Sequence, residues 1–198
     1  MGKYPEHQPG VHVVTKEWAP QPEETAKWRL NHVMLRIRDP GLSLPFYQDG
    51  LGMRMVFTFN SGPMTVYYLG YPQHGWSPEE TFAKMQQRDG LVELVHVHDT
   101  EEESGFKYTN GNEGPQYGFG HIGLTVPDVP VALARLEKFG AKVFKPLGVA
   151  TNETIPIPEG KVEIVEGYKE VYRQIAMIQD PDGYFIELVP QFMDKQHD

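Results

Sequence analysis

Two stretches of the chain repeat one another, and this duplication constrains the fold more than any other feature. "NHVMLRIRD" at 31–39 matches "GHIGLTVPD" at 120–128, "LGM" at 51–53 matches "FGA" at 139–141, and "VELV" at 92–95 matches "IELV" at 186–189. A repeat of this length marks duplicated units that pack together. In the first strand of each unit, His32, Met34 and Arg36 alternate with Val33, Leu35 and Ile37, and His121, Gly123 and Thr125 with Ile122, Leu124 and Val126. That period of two predicts strands with one buried face. The closing runs "GLVELVHV" (90–97) and "GYFIELVP" (183–190) are rich in strand formers, yet each carries a central glutamate, Glu93 and Glu187. An ionised carboxylate buried there without a partner costs several kcal/mol. Made twice at matching positions, the choice points to a shared purpose.

Between these strands the helix signals are local. "SLPFYQDGLGM" reads as a short helix capped by Ser43, since Pro45 suits only a first turn. Strands follow near 53–59 and 65–70. "SPEETFAKMQQ" carries Ser77 as cap, Pro78 at the first position and Glu80 to complete a capping box. "VPVALARLEKFGA" starts from Asp128 and stops at Gly140. A long polar stretch, about 146–170, precedes "DPDG", a type I turn leading into the Glu187 strand. The expected organisation is an arm (1–29) that docks through Trp18 and Trp28, one domain (30–190) of two modules (about 30–113 and 114–190), and a tail (191–198).

With 198 residues, 39% of them hydrophobic, a core is available and disorder is not expected. The net charge of −9 argues against nucleic acid or an anionic membrane as partner. No window approaches 18 apolar residues, so no membrane span is expected. There is no cysteine, which removes thiolate nucleophiles and thiolate metal sites and is compatible with a reducing compartment. A soluble, cytoplasmic protein is the expectation.

Each unit therefore places a histidine early in its first strand and a glutamate in its last, separated by 61 residues from His32 to Glu93 and by 66 from His121 to Glu187. Two imidazoles and two carboxylates can converge on one borderline divalent ion, zinc, nickel, cobalt or iron(II), leaving positions for water or substrate. A dication would also make the buried carboxylates tolerable. The bland alternative treats each residue as structural: a lone histidine on a half-buried strand is more often a satisfied core or surface residue, and a lone glutamate often faces water. That alternative must be invoked four times at matched positions. His96 and His98 fall on the opposite face from Glu93 by strand alternation and are read as non-ligands.

At these residues the sequence resembles glyoxalase I, in the vicinal oxygen chelate superfamily. The motifs are "MLRIRDP", "SLPFYQDGLGM", "YYLGYP", "ELVH" with "TEEE", "NGN", "GFGHIGLTVPDV" and "IQDPDGYFIELV", spread over about 30–190. The resemblance implies an α+β fold of paired βαβββ modules and a metal held by His32, Glu93, His121 and Glu187. It also implies a homodimer whose sites form between the first module of one copy and the second of the other. The implied chemistry isomerises the hemithioacetal of methylglyoxal and glutathione to S-lactoylglutathione. A carboxylate takes the proton from the carbon bearing sulfur, the metal stabilises the ene-diolate, and the proton returns to the neighbouring carbon. Glu187 is the first choice of base, with Glu93 assisting, and Arg36 is the expected contact for a glutathione carboxylate.

The chain departs from the family at the remaining glutathione contacts. Val97 stands where the family has an asparagine, and Tyr117 or Gln116 where it has an arginine before "GFGH". Lys145 lies near a further basic contact, and the 146–170 loop is long and acidic. Losing charge-assisted contacts worth about 1.5–3 kcal/mol each weakens the hold on a tripeptide anion. Two other functions stay open at this point: the same metal cage acting on a non-glutathione substrate, favoured by Val97 and Tyr117, and a non-catalytic binding or resistance protein, which should lack the four ligands.

Overall fold

The computed structural model describes residues 7–155 and 164–193. Its centre is a pair of four-stranded mixed sheets built by the two sequence units. The first contains β1 (His32–Ile37), β2 (Arg54–Asn60), β3 (Met64–Gly70) and β4 (Leu91–Val97), in the order β1-β4-β3-β2. The second contains β5 (His121–Val126), β6 (Lys142–Lys145), β7 (Ala176–Gln179) and β8 (Phe185–Pro190), in the order β5-β8-β7-β6. In both, the first strand lies parallel to the last and the remaining pairs are antiparallel. A parallel neighbour requires a crossover, and a helical segment after the first strand begins it. This is the expected α+β architecture.

The strand periodicity sorts the sheets into two faces. Leu35, Ile37, Val92, Leu94 and Leu69 of the first sheet share one buried core with Ala176, Ile178, Ile186 and Leu188 of the second. Burying each of the valine, leucine and isoleucine side chains contributes about 1.5–3 kcal/mol. Helical segments complete that core: α1 (Pro40–Pro45), which continues as a wider turn over Phe46–Gly50, and α3 (Val129–Leu136). A Cβ at Gly50 would lie 3.2 Å from Phe139 Cβ, so the small residue lets the two helical segments approach.

Polar bonds fasten the modules together at their backs. Ser43 Oγ and the Arg38 backbone N–H each donate to the Asp182 carboxylate at 2.7 Å, and Tyr47 OH donates to Asp180 at 2.8 Å. Arg135 donates to the backbone carbonyls of Asp49 and Gly50. Ser43 is thus not a helix cap. Asp39 caps α1 by accepting from the Gly41 N–H, and Asp39–Pro40 supplies the cap-then-proline pattern one turn earlier. The cap at Asp128, the left-handed Gly140 (φ 92°) and the Ser77–Glu80 capping box of α2 (Pro78–Ala83) are as expected. Gly183 N–H donates to Asp180 O, closing the "DPDG" turn.

Two further expectations change. Part of the long polar stretch is helical, α4 (Glu166–Tyr172), while 156–163 lie outside the described residues. The arm from residue 7 onward does not dock through its tryptophans within its own chain, since Trp18 and Trp28 are 87% and 76% exposed. It makes its close approach through glycine: a Cβ at Gly167 would lie 2.5 Å from Gly10 O. No helix among the described residues is long and apolar enough to cross a membrane.

Candidate active site

Strand register builds the candidate site twice. Met34 pairs with Glu93 and Gly123 with Glu187, so each histidine, two residues before its strand's paired position, shares a face with its glutamate. His32 Nε2 lies 3.3 Å from Glu93 Oε2, and His121 Nε2 lies 3.5 Å from Glu187 Oε2. All four side chains are partly exposed, the imidazoles by 37% and 39% and the carboxylates by 19% and 21%. The four residues therefore form two pairs. Among the described residues of one chain, no three histidine or acidic side chains gather closely enough to hold a metal ion.

The first pair is the more elaborately held. Asn31 Nδ2 donates to the carbonyls of Met85 (2.8 Å) and Arg88 (2.7 Å), which fixes its amide and leaves Oδ1 to accept from His32 Nδ1 at 2.9 Å. Because that oxygen can only accept, Nδ1 is the donor here and Nε2 is the nitrogen turned toward Glu93. Tyr68, paired with Glu93 across β3 and β4, places its hydroxyl 3.0 Å from Glu93 Oε2 and 3.2 Å from His32 Nε2. Burial, reinforced by the hydrogen bond to Glu93, pushes the Tyr68 phenol up to about 12, so it remains a donor at neutral pH. Its ring stacks on Phe57 at 4.7 Å.

The donor set fits a divalent cation. An imidazole nitrogen and a carboxylate oxygen face one another at 3.3 Å with the Tyr68 hydroxyl beside both. Nitrogen plus carboxylate oxygen suits the borderline metals. Asn31 supplies the outer hydrogen bond that metal-ligating histidines ordinarily make.

The second pair has different neighbours. Lys145, Met177, Glu187 and Gly123 form a row across the second sheet, and α4 packs over that face through Tyr172, which is buried with Met177 and Phe185. Lys145 is fully buried. Its ammonium donates to the carbonyls of Tyr172 and Ile175 and lies 4.5 Å from the Tyr172 ring centre. Burial pulls the Lys145 amine down to about 8, against a smaller opposing pull from Glu187. The sequence signalled this lysine only as a basic contact; its capture by two carbonyls was not legible.

Arg36 is exposed on the face of β1 that carries His32. Val97 stands on the face of Glu93, 36% exposed, and Tyr117 is also exposed. His96 and His98 lie apart from this face: His96 Nε2 bonds Glu101 at 2.7 Å, and His98 bonds Thr65 at 2.8 Å. Sequence reasoning missed Tyr68. In "TVYYLG" one tyrosine must face the core and the other Glu93, and only the pairing register tells which.

A duplicated βαβββ unit with one His–Glu pair per copy defines the class of protein. The chain belongs to the Glyoxalase/Bleomycin resistance protein/Dioxygenase superfamily, whose family model matches residues 29–188. Within it, the chain is 34% identical over 170 residues to the lactoylglutathione lyase of Pseudomonas aeruginosa, covering 83% of this chain and 84% of that protein. It is 32% identical over 168 residues to the lactoylglutathione lyase of Schizosaccharomyces pombe, covering 84% of this chain but 46% of the relative, so it spans about half of that protein's length. The solved trypanothione-dependent glyoxalase I of Leishmania major shares the fold, with a TM-score of 0.52 at 22% identity over 83% of this chain and 87% of that one.

Proposed function

We propose that the chain is a divalent-metal-dependent lyase of the glyoxalase I type, converting the methylglyoxal–glutathione hemithioacetal to S-lactoylglutathione. The observation that carries this is the His–Glu pair at the same register position of both modules, in a chain with lactoylglutathione lyases among its relatives. His32, Glu93, His121 and Glu187 would hold the ion, zinc or nickel by donor type, with cobalt or iron(II) also suited. When bound, the ion supplies Lewis-acid stabilisation of charge developing on oxygen.

Glu187 acts as the base. It takes the proton from the carbon bearing sulfur and returns it to the neighbouring carbon, while the hydroxyl proton passes from the first carbon's oxygen to the second's, so one C–H and one O–H bond break and one of each forms. Gly123 gives Glu187 room: a Cβ there would lie 3.8 Å from Oε2, and no longer side chain crowds it from that position. Glu93 holds the opposite side of the site and assists. Arg36, exposed on the His32 face, would pair with a carboxylate of glutathione.

A complete site would form between two copies, the first module of one meeting the second module of the other. Two features support this homodimer. The His–Glu pairs of one chain stay separate, and the sheet face around Glu93 leaves Met34, Phe59, Met64 and Val97 exposed. The cytoplasm is the proposed location, with the lack of cysteine in keeping.

The test is thioester formation from methylglyoxal and glutathione by protein stripped of metal and reloaded separately with nickel, cobalt and zinc. Metal-dependent turnover is expected. Folded, metal-loaded protein that forms no thioester would favour the second reading, a non-glutathione substrate on the same four ligands. Val97 and the captured Lys145 favour that reading, because both remove polar groups that an anionic tripeptide could use.

A further inference from the structure

The two glutamates are chemically identical and sit at equivalent places, yet among the described residues only Glu93 accepts from a side-chain hydroxyl. Across the first sheet, Phe57, Tyr68, Glu93 and Met34 form a row through successive strand pairs. Across the second, Lys145, Met177, Glu187 and Gly123 occupy the matching positions. Tyr68 therefore corresponds to Met177, and a hydroxyl in one module corresponds to a thioether in the other. The hydroxyl sits between the imidazole and the carboxylate, 3.2 Å from His32 Nε2 and 3.0 Å from Glu93 Oε2. Met177 instead meets the Tyr172 hydroxyl through its sulfur at 3.1 Å, and among the described residues no hydroxyl donates to Glu187.

We propose that Tyr68 is a positioning residue that makes the two carboxylates unequal, restraining Glu93 so that it holds the metal while Glu187 stays free to carry the proton. This rests on the glyoxalase-type reading for the proton's destination, but the restraint of Glu93 does not depend on the identity of the substrate. A hydrogen bond from a neutral hydroxyl occupies one lone pair of the carboxylate. It also fixes the carboxylate's direction, the service that outer hydrogen bonds render to metal ligands. The ring is held in turn: it stacks on Phe57 (4.7 Å, 15° between planes) and meets the His32 imidazole edge-on at 5.2 Å. The hydroxyl is thus aimed by packing on both sides.

The test compares wild type with Tyr68→Phe, which keeps the ring and the stack and removes only the oxygen. Cobalt(II) affinity of the stripped protein is measured by calorimetric titration, and the visible spectrum of the cobalt form is recorded. Loss of an outer hydrogen bond typically costs 10–100-fold in metal affinity or activity. We expect cobalt to bind at least about tenfold more weakly, with an altered spectrum and an unchanged urea midpoint of the metal-free protein. In turnover, kcat should fall while KM for the hemithioacetal holds. Cobalt affinity and spectrum both unchanged would overturn the proposal and leave Tyr68 as packing for Phe57. Phe57→Leu guards the interpretation, because an equal loss there would assign the effect to the ring and sink the role of the hydroxyl. If wild type forms no thioester but Tyr68→Phe still weakens cobalt, the reaction is wrong and the restraint of Glu93 stands.

Discussion

The two modules share a backbone plan and differ in what surrounds the same pair of functional groups. In the first, the glutamate lies on a bare, aromatic-lined sheet face, with Tyr68 bonded to it and Met34 beside it. In the second, the glutamate lies near α4, with a buried lysine in its row and a glycine beside it. Duplication supplied the register, which fixes where histidine and glutamate meet. Divergence changed the row around them, which sets how firmly each carboxylate is held. Equal side chains in unequal settings suit the proposed site, in which one carboxylate would keep an ion and the other move a proton.

The sharpest way to break this comparison is Glu187→Gln against Glu93→Gln. General-base catalysis contributes about 10²–10⁴-fold, so Glu187→Gln should lower kcat by about 10³-fold while the fold stands. Glu93→Gln should show its larger effect in metal affinity. Initial rates at saturating metal separate the two, and near-wild-type turnover by Glu187→Gln would remove it from the base's role.

Lys145→Met sharpens the second module's side. It leaves the carbonyls of Tyr172 and Ile175 without their donor, and an unsatisfied buried acceptor costs about 1–3 kcal/mol. A loss of about 2 kcal/mol is expected in urea unfolding, with KM for the hemithioacetal changed less than about twofold because the amine is already engaged. A tenfold rise in KM, about 1.4 kcal/mol, would show that Lys145 reaches the substrate and is not sealed beneath it.

A further effect, confined to stability, is expected at the seam between the modules. Burial pushes the Asp180 carboxyl up to about 7, although Tyr47 and two backbone N–H groups bond to it. An acid whose folded value is raised holds its proton in the native state after the unfolded chain has released it. Its contribution to stability is full below about 4 and declines as pH rises toward 7, by at most about 1.4 kcal/mol per pH unit. Asp180→Asn should flatten that decline in urea midpoints measured between pH 4.5 and 7.5. An unchanged slope would assign the pH dependence elsewhere.

Much of this was legible because its signals are local and periodic. Alternation announced β1 and β5, the capping box announced α2, and the matching "ELV" runs announced both glutamates. What escaped depended on partners remote in sequence. Ser43 looks like a cap until Asp182, 139 residues away, takes its hydroxyl. Lys145 looks like a free cation until Tyr172 and Ile175 fold back over it. Trp18 and Trp28 look like anchors, yet nothing in a tryptophan specifies whether it has a partner in its own chain.

The separation of the two His–Glu pairs also has a genetic consequence. Under the proposed assembly, one site draws on two polypeptides, so lesions in different modules are not additive when chains mix. A chain carrying His32→Ala and another carrying Glu187→Gln would each be inactive alone. Their hybrid would hold one doubly damaged site and one wholly intact one. Random exchange between equal amounts of the two should therefore restore about a quarter of wild-type activity. Two alleles that each fail in isolation would complement within a single gene.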